Sequence, residues 1–595
     1  MSNLKNYRTS CLVVGSGCAG LNAADTLYDE GVTDVILVTE GMNMGTSRNT
    51  GSDKQTYYKL AISSDCTDSV GQMAKSYFDG GAMSGELALT ESANSLKCFF
   101  KLQSLGVPFP QNDFGEFLGY KTDHDDTKRA TSAGPLTSKY MTEVLEKSVL
   151  AKNIHILDST TVFKLFKNND RICGALCYDN KNKEFVLIET PNIILATGGS
   201  AALYRDSVFP YSQTGMSGLA IEIGARTVNL TEWQYGLASV DFRWNVSGTY
   251  QQALPRYISV DDNGIEYEFL SEHLSLEDVL LYTFRKGYQW PFDSCKIETS
   301  SIIDCLVHTE ILHGRKVYMD FMHNPKNFDI NSIPDEAREY LENSGAMQDT
   351  PIERLLAMNV KAYELYKNNG IDLKVDKLRV AVCAQHQNGG LFVDKNYQTN
   401  IEGLYAAGEV AGVFGIYRPG GSALNSTQVS SMRAAKHIAK IKNFEIPDIK
   451  EYAYNYISSL NFSDSDDMSF KVTLKTLQKS MSDYAAFSRS PEEISRLVSY
   501  TEKLICKEKY SPIPKNSVLA YLKYRDTLIT MHEVLLAMEL WCREVGSRGG
   551  AYCVGSDKTD TNALAVFTEN GRSYLEKQPP IPKSEVWFEK VYNKQ

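Results

Sequence analysis

The chain begins with a short apolar run followed at once by a glycine-rich turn. Ser10-Cys11-Leu12-Val13-Val14 has no polar alternation and reads as a strand buried on both faces. Gly15-Ser16-Gly17-Cys18-Ala19-Gly20 follows, then an Ala/Leu-rich stretch from Leu21 to Glu30 that reads as a helix ending at Gly31. Val35 to Thr39 reads as the next strand, with Glu40 at its end. Further strands are expected over Ile172 to Tyr178, with Cys173 and Cys177 on one face, and over Asn192 to Ala196. Towards the C-terminus the period changes. Leu528, Met531, Leu535, Met538 and Cys542 recur at helical spacing, with Glu533 and Glu544 expected on the opposite, polar side. Gln578-Pro579-Pro580-Ile581-Pro582 reads as an extended linker to a final strand or turn around Val586-Trp587-Phe588.

The first turn carries chemistry. Gly15 permits the tight strand-to-helix turn, Gly17 lets backbone approach a pyrophosphate, and Gly20 lets the helix pack on the sheet with its N-terminus facing the anion. Glu40 is placed to accept hydrogen bonds from ribose hydroxyls. Two later elements decide between nicotinamide and flavin dinucleotides. Ala196-Thr197-Gly198-Gly199 ends a strand and resembles the second dinucleotide contact of FAD-dependent enzymes. Gly403-Leu404-Tyr405-Ala406-Ala407-Gly408-Glu409 resembles the element whose acid meets the ribityl chain in such families.

From these and further motifs the chain resembles, over nearly its whole length, the flavoprotein family of fumarate reductase, succinate dehydrogenase and L-aspartate oxidase. Gly45-Thr46-Ser47-Arg48-Asn49-Thr50-Gly51 is similar to the family's flavin loop, and Thr214-Gly215-Met216-Ser217-Gly218-Leu219-Ala220 to its T-G-D-G-L-A segment. His386-Gln387-Asn388-Gly389-Gly390 resembles H-x-x-G-G, Arg418-Pro419-Gly420-Gly421-Ser422-Ala423-Leu424 resembles R-L-G-G-N-S-L, and Ser547-Arg548-Gly549-Gly550-Ala551 echoes S-R-G-A-H. The resemblance implies an α/β fold: a Rossmann-like FAD domain (1–230 plus 380–445), an inserted α+β capping domain (231–379), a helical C-terminal domain (446–554, starting near Pro447) and a tail (555–595). It implies that Gly15, Gly17, Gly20, Glu40, Ser47, Thr50, Gly51, Ala196, Thr197, Gly198, Gly408, Glu409, Ser422 and Leu424 hold FAD. It makes Arg418 a carboxylate clamp and His386 a substrate residue, with Gly389 and Gly390 letting backbone approach a flat ring. A capping-domain arginine protonates substrate in ene-reducing members. Among Arg243, Arg256, Arg285 and Arg354, Arg256 is favoured here because it follows an aromatic, small-residue run.

Departures from the family pattern narrow the function. Where dicarboxylate-acting members carry Q-F-H-P-T, this chain has Glu232-Trp233-Gln234-Tyr235-Gly236-Leu237, with no His, so fumarate and succinate lose one clamp. Phe242, Trp244, Tyr250 and Tyr257 nearby suggest a larger aromatic pocket for an aryl or otherwise bulky substrate. The flavin loop has no histidine, and the first in the chain is His124, so FAD is expected to be non-covalent.

Composition removes other classes. With 62 basic against 73 acidic residues and a net charge of −11, no nucleic-acid coat or polybasic membrane anchor is expected. No apolar run approaches the ~18 residues of a membrane span, and no signal pattern is present, so a cytoplasmic enzyme is expected. The 12 cysteines form no C-x-x-C pair, so no metal or iron–sulfur site is expected. The chain thus reads as an FAD-dependent oxidoreductase acting on CH–CH bonds. It would reduce a C=C bond activated by a carboxylate or carbonyl, with electrons from an external donor: reduced flavin, an NADH-linked protein or an iron–sulfur protein. The alternatives are an amine or amino-acid oxidase resembling L-aspartate oxidase and a flavoprotein electron-relay subunit of a larger complex.

Overall fold

The computed structural model describes residues 4–441, 445, 448–464, 468–560, 562–583 and 587–593. At its centre is a five-stranded parallel sheet in the order Leu404–Ala406, Ile193–Leu195, Cys11–Val14, Val35–Val38, His155–Leu157. Cys11–Val14 and Val35–Val38 are buried at every position, as strands covered on both faces must be. Helix Cys18–Asp29 packs against Ser422–Lys440 and Thr137–Ala151. Inside the first of these contacts, the Asn22 side chain donates to Ser431 Oγ (2.8 Å). The chain leaves Cys11–Val14 for one neighbour and returns later on the other side. The crevice at the carboxyl ends of these strands is therefore a topological switch point, where open α/β sheets bind ligands.

The inserted domain is built on an antiparallel six-stranded sheet in the order Trp244–Asn245, Trp233–Ser239, Leu378–Gln387, Lys316–Asp320, Arg256–Val260, Glu266–Tyr267. Leu378–Gln387 pairs with Trp233–Ser239 and Lys316–Asp320 in this sheet and lies across the expected limit at 379–380. The next strand, Gly390–Leu391, pairs instead with Thr227–Val228.

Helices Lys450–Ser459, Ser469–Tyr484, Pro491–Glu508 and Val518–Glu544 form the C-terminal unit; Pro447 lies outside the described residues. In Val518–Glu544 the expected stripe is buried and Glu544 is exposed, but Glu533 is buried too. The helix is packed on more than one side, and burial pushes Glu533 up to about 7. Its first half reaches the FAD domain, where Asp526 accepts from the Leu219 amide (2.9 Å) and Lys523 pairs with Glu40.

Two further expectations are corrected. Phe166 pairs with Gly174 and Lys167 with Ile172, so Cys173 is the extra residue of a bulge. The bulge breaks the alternation, and Cys173 and Cys177 enter different core clusters instead of sharing a face. In the tail, Ala565–Glu569 and Arg572–Glu576 form a hairpin that extends the sheet of Thr227–Val228. The proline linker lies along the body, with Pro579 O accepting from Gly85 N (2.9 Å). Beyond it Phe588–Tyr592 is a short helix, not a strand; Val586 lies outside the described residues.

Candidate active site

A cavity of about 810 Å³ runs from the carboxyl ends of the parallel sheet to the underside of the cap. Its first stretch is the glycine turn. A Cβ on Gly15 would lie 2.4 Å from Ala196 O, and one on Gly20 1.9 Å from Gly15 O, so the helix can enter this close to the sheet only without side chains at these positions. Gly20 lies behind the turn and does not line the cavity; Gly15, Gly17, Glu40, Ser47, Thr50, Gly51, Ala196, Thr197, Gly198, Gly408, Glu409 and Leu424 do. Ser47 Oγ accepts from Cys18 N (3.3 Å), tying the flavin loop to the helix start. Arg48 turns away to Glu146 (2.6 Å).

These residues fit a dinucleotide. The hydroxyls of Thr46 and Thr197 line this stretch, are buried and have no partner among the described residues. Buried polar atoms are nearly always paired, so two orphans on one cavity wall mark hydrogen bonds owed to a ligand. Glu40 lines the cavity beside the glycine turn, with one carboxylate oxygen on Lys523. Glu409 accepts from Gln387 N (2.8 Å), and burial pushes its carboxyl up to about 7.

The far end is built around Arg418, at the mouth of helix Ser422–Lys440. Arg418 is buried, 9% exposed as a residue. Nε donates to Gln234 Oε1 (3.0 Å), Nη2 donates to the same oxygen, and Nη1 donates to Pro419 O (3.3 Å) and Ser422 Oγ (3.4 Å). Among the described residues no carboxylate forms an ion pair with it. Burial lowers it to about 10, against the opposing pull of Glu409 and Asp123. Ser422 does not line the cavity; it steadies the Arg418 turn, donating to Pro419 O (2.7 Å).

His386 lies beside it, with Nε2 4.0 Å from Glu409 Oε1. Burial, then the charge of Arg418, hold its imidazole well below the ordinary value, so it is neutral. The Asn388 amide nitrogen donates to Gly415 O (3.0 Å), which turns the amide oxygen towards His386 Nδ1 (3.0 Å). Nδ1 therefore carries the proton, and Nε2 meets an incoming group as an acceptor. The expected reason for Gly389 and Gly390 changes: a Cβ on either would strike backbone, Asn229 O at 1.9 Å or Val410 O at 2.4 Å. They serve close backbone packing, and neither lines the cavity.

Arg256 is not brought to the cavity. It pairs with Asp320 (2.7 Å) and faces Glu266 and Glu268 (3.5 Å each). Arg285 pairs with Glu336 (2.9 Å), Arg354 donates to Asn324 (2.7 Å) and Arg243 to Phe209 O (2.8 Å). None of the four lines the cavity. Phe242, Tyr250 and Tyr257 are also packed elsewhere, Tyr250 donating to Ala362 O (2.9 Å) and Tyr257 to Gln251 (2.7 Å), and Phe242 stacks on Trp244. The aromatic wall is made instead by Tyr120, Tyr288, Trp290 and Tyr340.

Sequence reasoning missed Asp123 and Gln385. Asp123 lies in the turn between Tyr120–Thr122 and Asp125–Ser132, and its carbonyl accepts from Gly420 N (3.0 Å), two residues from Arg418. Asp123 lines the cavity, and among the described residues its carboxyl makes no ion pair or hydrogen bond. Burial pushes it up to about 6, opposed by Arg418, Lys296 and Lys286 and reinforced by Asp53.

The family model described as FAD binding domain matches residues 10–424. The chain is 24% identical over 601 residues to an uncharacterized FAD-dependent oxidoreductase of Methanocaldococcus jannaschii, with 98% of each chain covered. It is 26% identical over 449 residues to a fumarate reductase (CoM/CoB) subunit of Methanothermobacter marburgensis, with 73% of each covered. Its fold is similar to that of a mutant of E. coli quinol fumarate reductase, with a TM-score of 0.72 at 18% identity over 98% of each chain.

Proposed function

The chain belongs to the FAD binding domain family, and on that premise we propose that it reduces a C=C bond conjugated to a carboxylate on a substrate larger than fumarate. The observation that carries this reading is Arg418, a buried residue that lines the cavity and, among the described residues, forms no ion pair. Buried charges are paired as a rule, and a planar fork suits a bidentate carboxylate. Gln234, in the segment where the resemblance would place a histidine, is used to hold Arg418 and offers the ligand no cation.

Bound FAD in its reduced form is the hydride source such chemistry needs. The protein's part is to bind, orient and protonate. Arg418 fixes the carboxylate and draws charge towards it, and the cap residues Tyr288, Trp290 and Tyr340 cover the cavity and exclude water. Reduction adds a hydride and a proton across the double bond, so each turnover needs two electrons from outside: from reduced flavin, an NADH-linked protein or an iron–sulfur protein. With Arg256 held by Asp320, Asp123 is the better proton donor to the carbon beside the carboxylate.

Anaerobically reduced enzyme is expected to recover its oxidised flavin absorbance when mixed with α,β-unsaturated acids. A panel including aryl acrylates that leaves it reduced would refute the reading. Because the acid must be protonated, the rate should fall as pH rises through about 6. Asp123→Asn should lose that limb and slow the reaction by about 10²-fold or more.

A second reading rests on the same unpaired Asp123. In an amino-acid oxidase the carboxylate would pair with the substrate ammonium and electrons would pass to oxygen; rapid peroxide formation in air with an amino acid would favour it.

The FAD is proposed to be non-covalent, since the flavin loop Gly45 to Gly51 holds no histidine. Acid precipitation should leave all the yellow colour in the supernatant; colour retained in the washed pellet would contradict this.

A further inference from the structure

The cap strand Leu378–Gln387 carries an irregularity at the cavity. Gln234 pairs with His386 and Tyr235 with Ala384, so Gln385 is an extra residue with no partner across the ladder. In a regular strand, residues 385 and 386 would face opposite sides of the sheet. Here both line the cavity, the re-aiming that bulges produce beside binding sites.

Gln385 is 8% exposed, and among the described residues neither its amide oxygen nor its amide nitrogen has a hydrogen-bond partner. It is lodged over Gly236, where a Cβ would lie 3.2 Å from its Nε2 and 3.1 Å from Trp290 O. Trp290 forms the adjoining wall, with Tyr288 and Tyr340 from the same domain. An orphaned donor and acceptor on one buried side chain ask for a group that both accepts and donates. A carboxylate accepts only, and would face the amide oxygen without a compensating cation. A hydroxyl satisfies both atoms, and the aromatic wall suits a flat ring to carry it.

Resting on the reductase reading above, we infer that Gln385 is a specificity-determining residue. It reads a phenolic hydroxyl on the β-aryl group of an unsaturated acid whose carboxylate Arg418 holds. The substrate class is then hydroxylated aryl acrylates.

The test uses the FAD-loaded full chain with cinnamate, its 2-, 3- and 4-hydroxy derivatives and 4-carboxycinnamate. The wild type is expected to favour one hydroxy isomer over cinnamate by about 100-fold in kcat/KM, and to disfavour the dicarboxylate. A site that hydrogen-bonds a hydroxyl rejects analogues lacking it because its buried polar atoms stay unpaired. Gln385→Leu should lower kcat/KM for that isomer about 100-fold and erase its preference over cinnamate. Gln385→Glu should keep the preference, since a carboxylate still accepts from a phenol. FAD content and melting temperature check that each variant is folded.

Binding of the corresponding saturated arylpropionates to the oxidised enzyme, read from the flavin spectrum, separates this inference from the reaction reading. If no alkene turns over but wild type binds a hydroxylated acid more tightly than its parent and Gln385→Leu does not, the assignment of Gln385 stands and the reductase reading falls. Equal preference in wild type and Gln385→Leu, in turnover and in binding, would overturn the inference.

Discussion

Arg418→Ala is expected to lower kcat/KM for the unsaturated acid by roughly 30- to 3,000-fold while FAD stays bound. The range follows from the ~2–5 kcal/mol lost when one partner of a buried, hydrogen-bonded charge pair is truncated, at ~1.4 kcal/mol per tenfold. Arg418→Lys should recover only part of the loss, because an ammonium keeps the charge but not the planar fork. The variant also separates binding from stability. In the free protein the guanidinium is buried beside a neutral amide and two backbone or hydroxyl oxygens, with no carboxylate bound to it. Removing a desolvated, unpaired cation relieves a cost, so the melting temperature should hold or rise while activity collapses. Functional sites are where such local conflicts are retained. Unchanged kcat/KM in Arg418→Ala would show that no substrate carboxylate rests there.

The cofactor end was legible because its determinants are local. A strand, a turn and a helix within one short segment state their own geometry, and the structure places Gly15 and Gly20 against backbone oxygens where no other residue fits. Arg418 was legible for a related reason: it follows the element bearing Glu409 and precedes a helix whose first turn opens on the cavity. The cap was not legible, because its residues are sorted by partners distant in sequence. Arg256 looked available until Lys316–Asp320 brought Asp320 beside it, and the apolar rings near residue 250 were claimed by the domain's own core. Gln385 shows the limit most clearly. Its direction is set by a slip in register between Trp233–Ser239 and Leu378–Gln387, and neither strand alone records it. Its position beside His386 was the one available signal. Glu533 failed for the converse reason: a helical stripe tells which side is core, but not that a second surface will cover the other side.

Gly20→Ala should yield a chain with little or no FAD, either colourless or insoluble. The added methyl would sit 1.9 Å from Gly15 O and 3.4 Å from Ala196 Cβ. The first obstacle is backbone, so the clash cannot be relieved by rotating a side chain. Helix Cys18–Asp29 would have to lift from the sheet, carrying with it the amide of Cys18 that Ser47 Oγ holds (3.3 Å). Overpacking a well-filled interior costs ~1–3 kcal/mol and sometimes more. Here it also opens the turn that the pyrophosphate needs, so the loss of FAD should exceed what the fold alone suffers, and the stabilisation that bound FAD contributes by mass action goes with it. Gly31→Ala is the matched control. Gly31 ends the same helix at φ +89° with nothing within 4 Å of an added Cβ. It should cost about 1 kcal/mol for the left-handed backbone and keep FAD at wild-type stoichiometry. The ratio of flavin to protein absorbance, measured on both variants after gel filtration, decides the matter. Full FAD occupancy in Gly20→Ala would mean that the close helix approach is not what holds the dinucleotide.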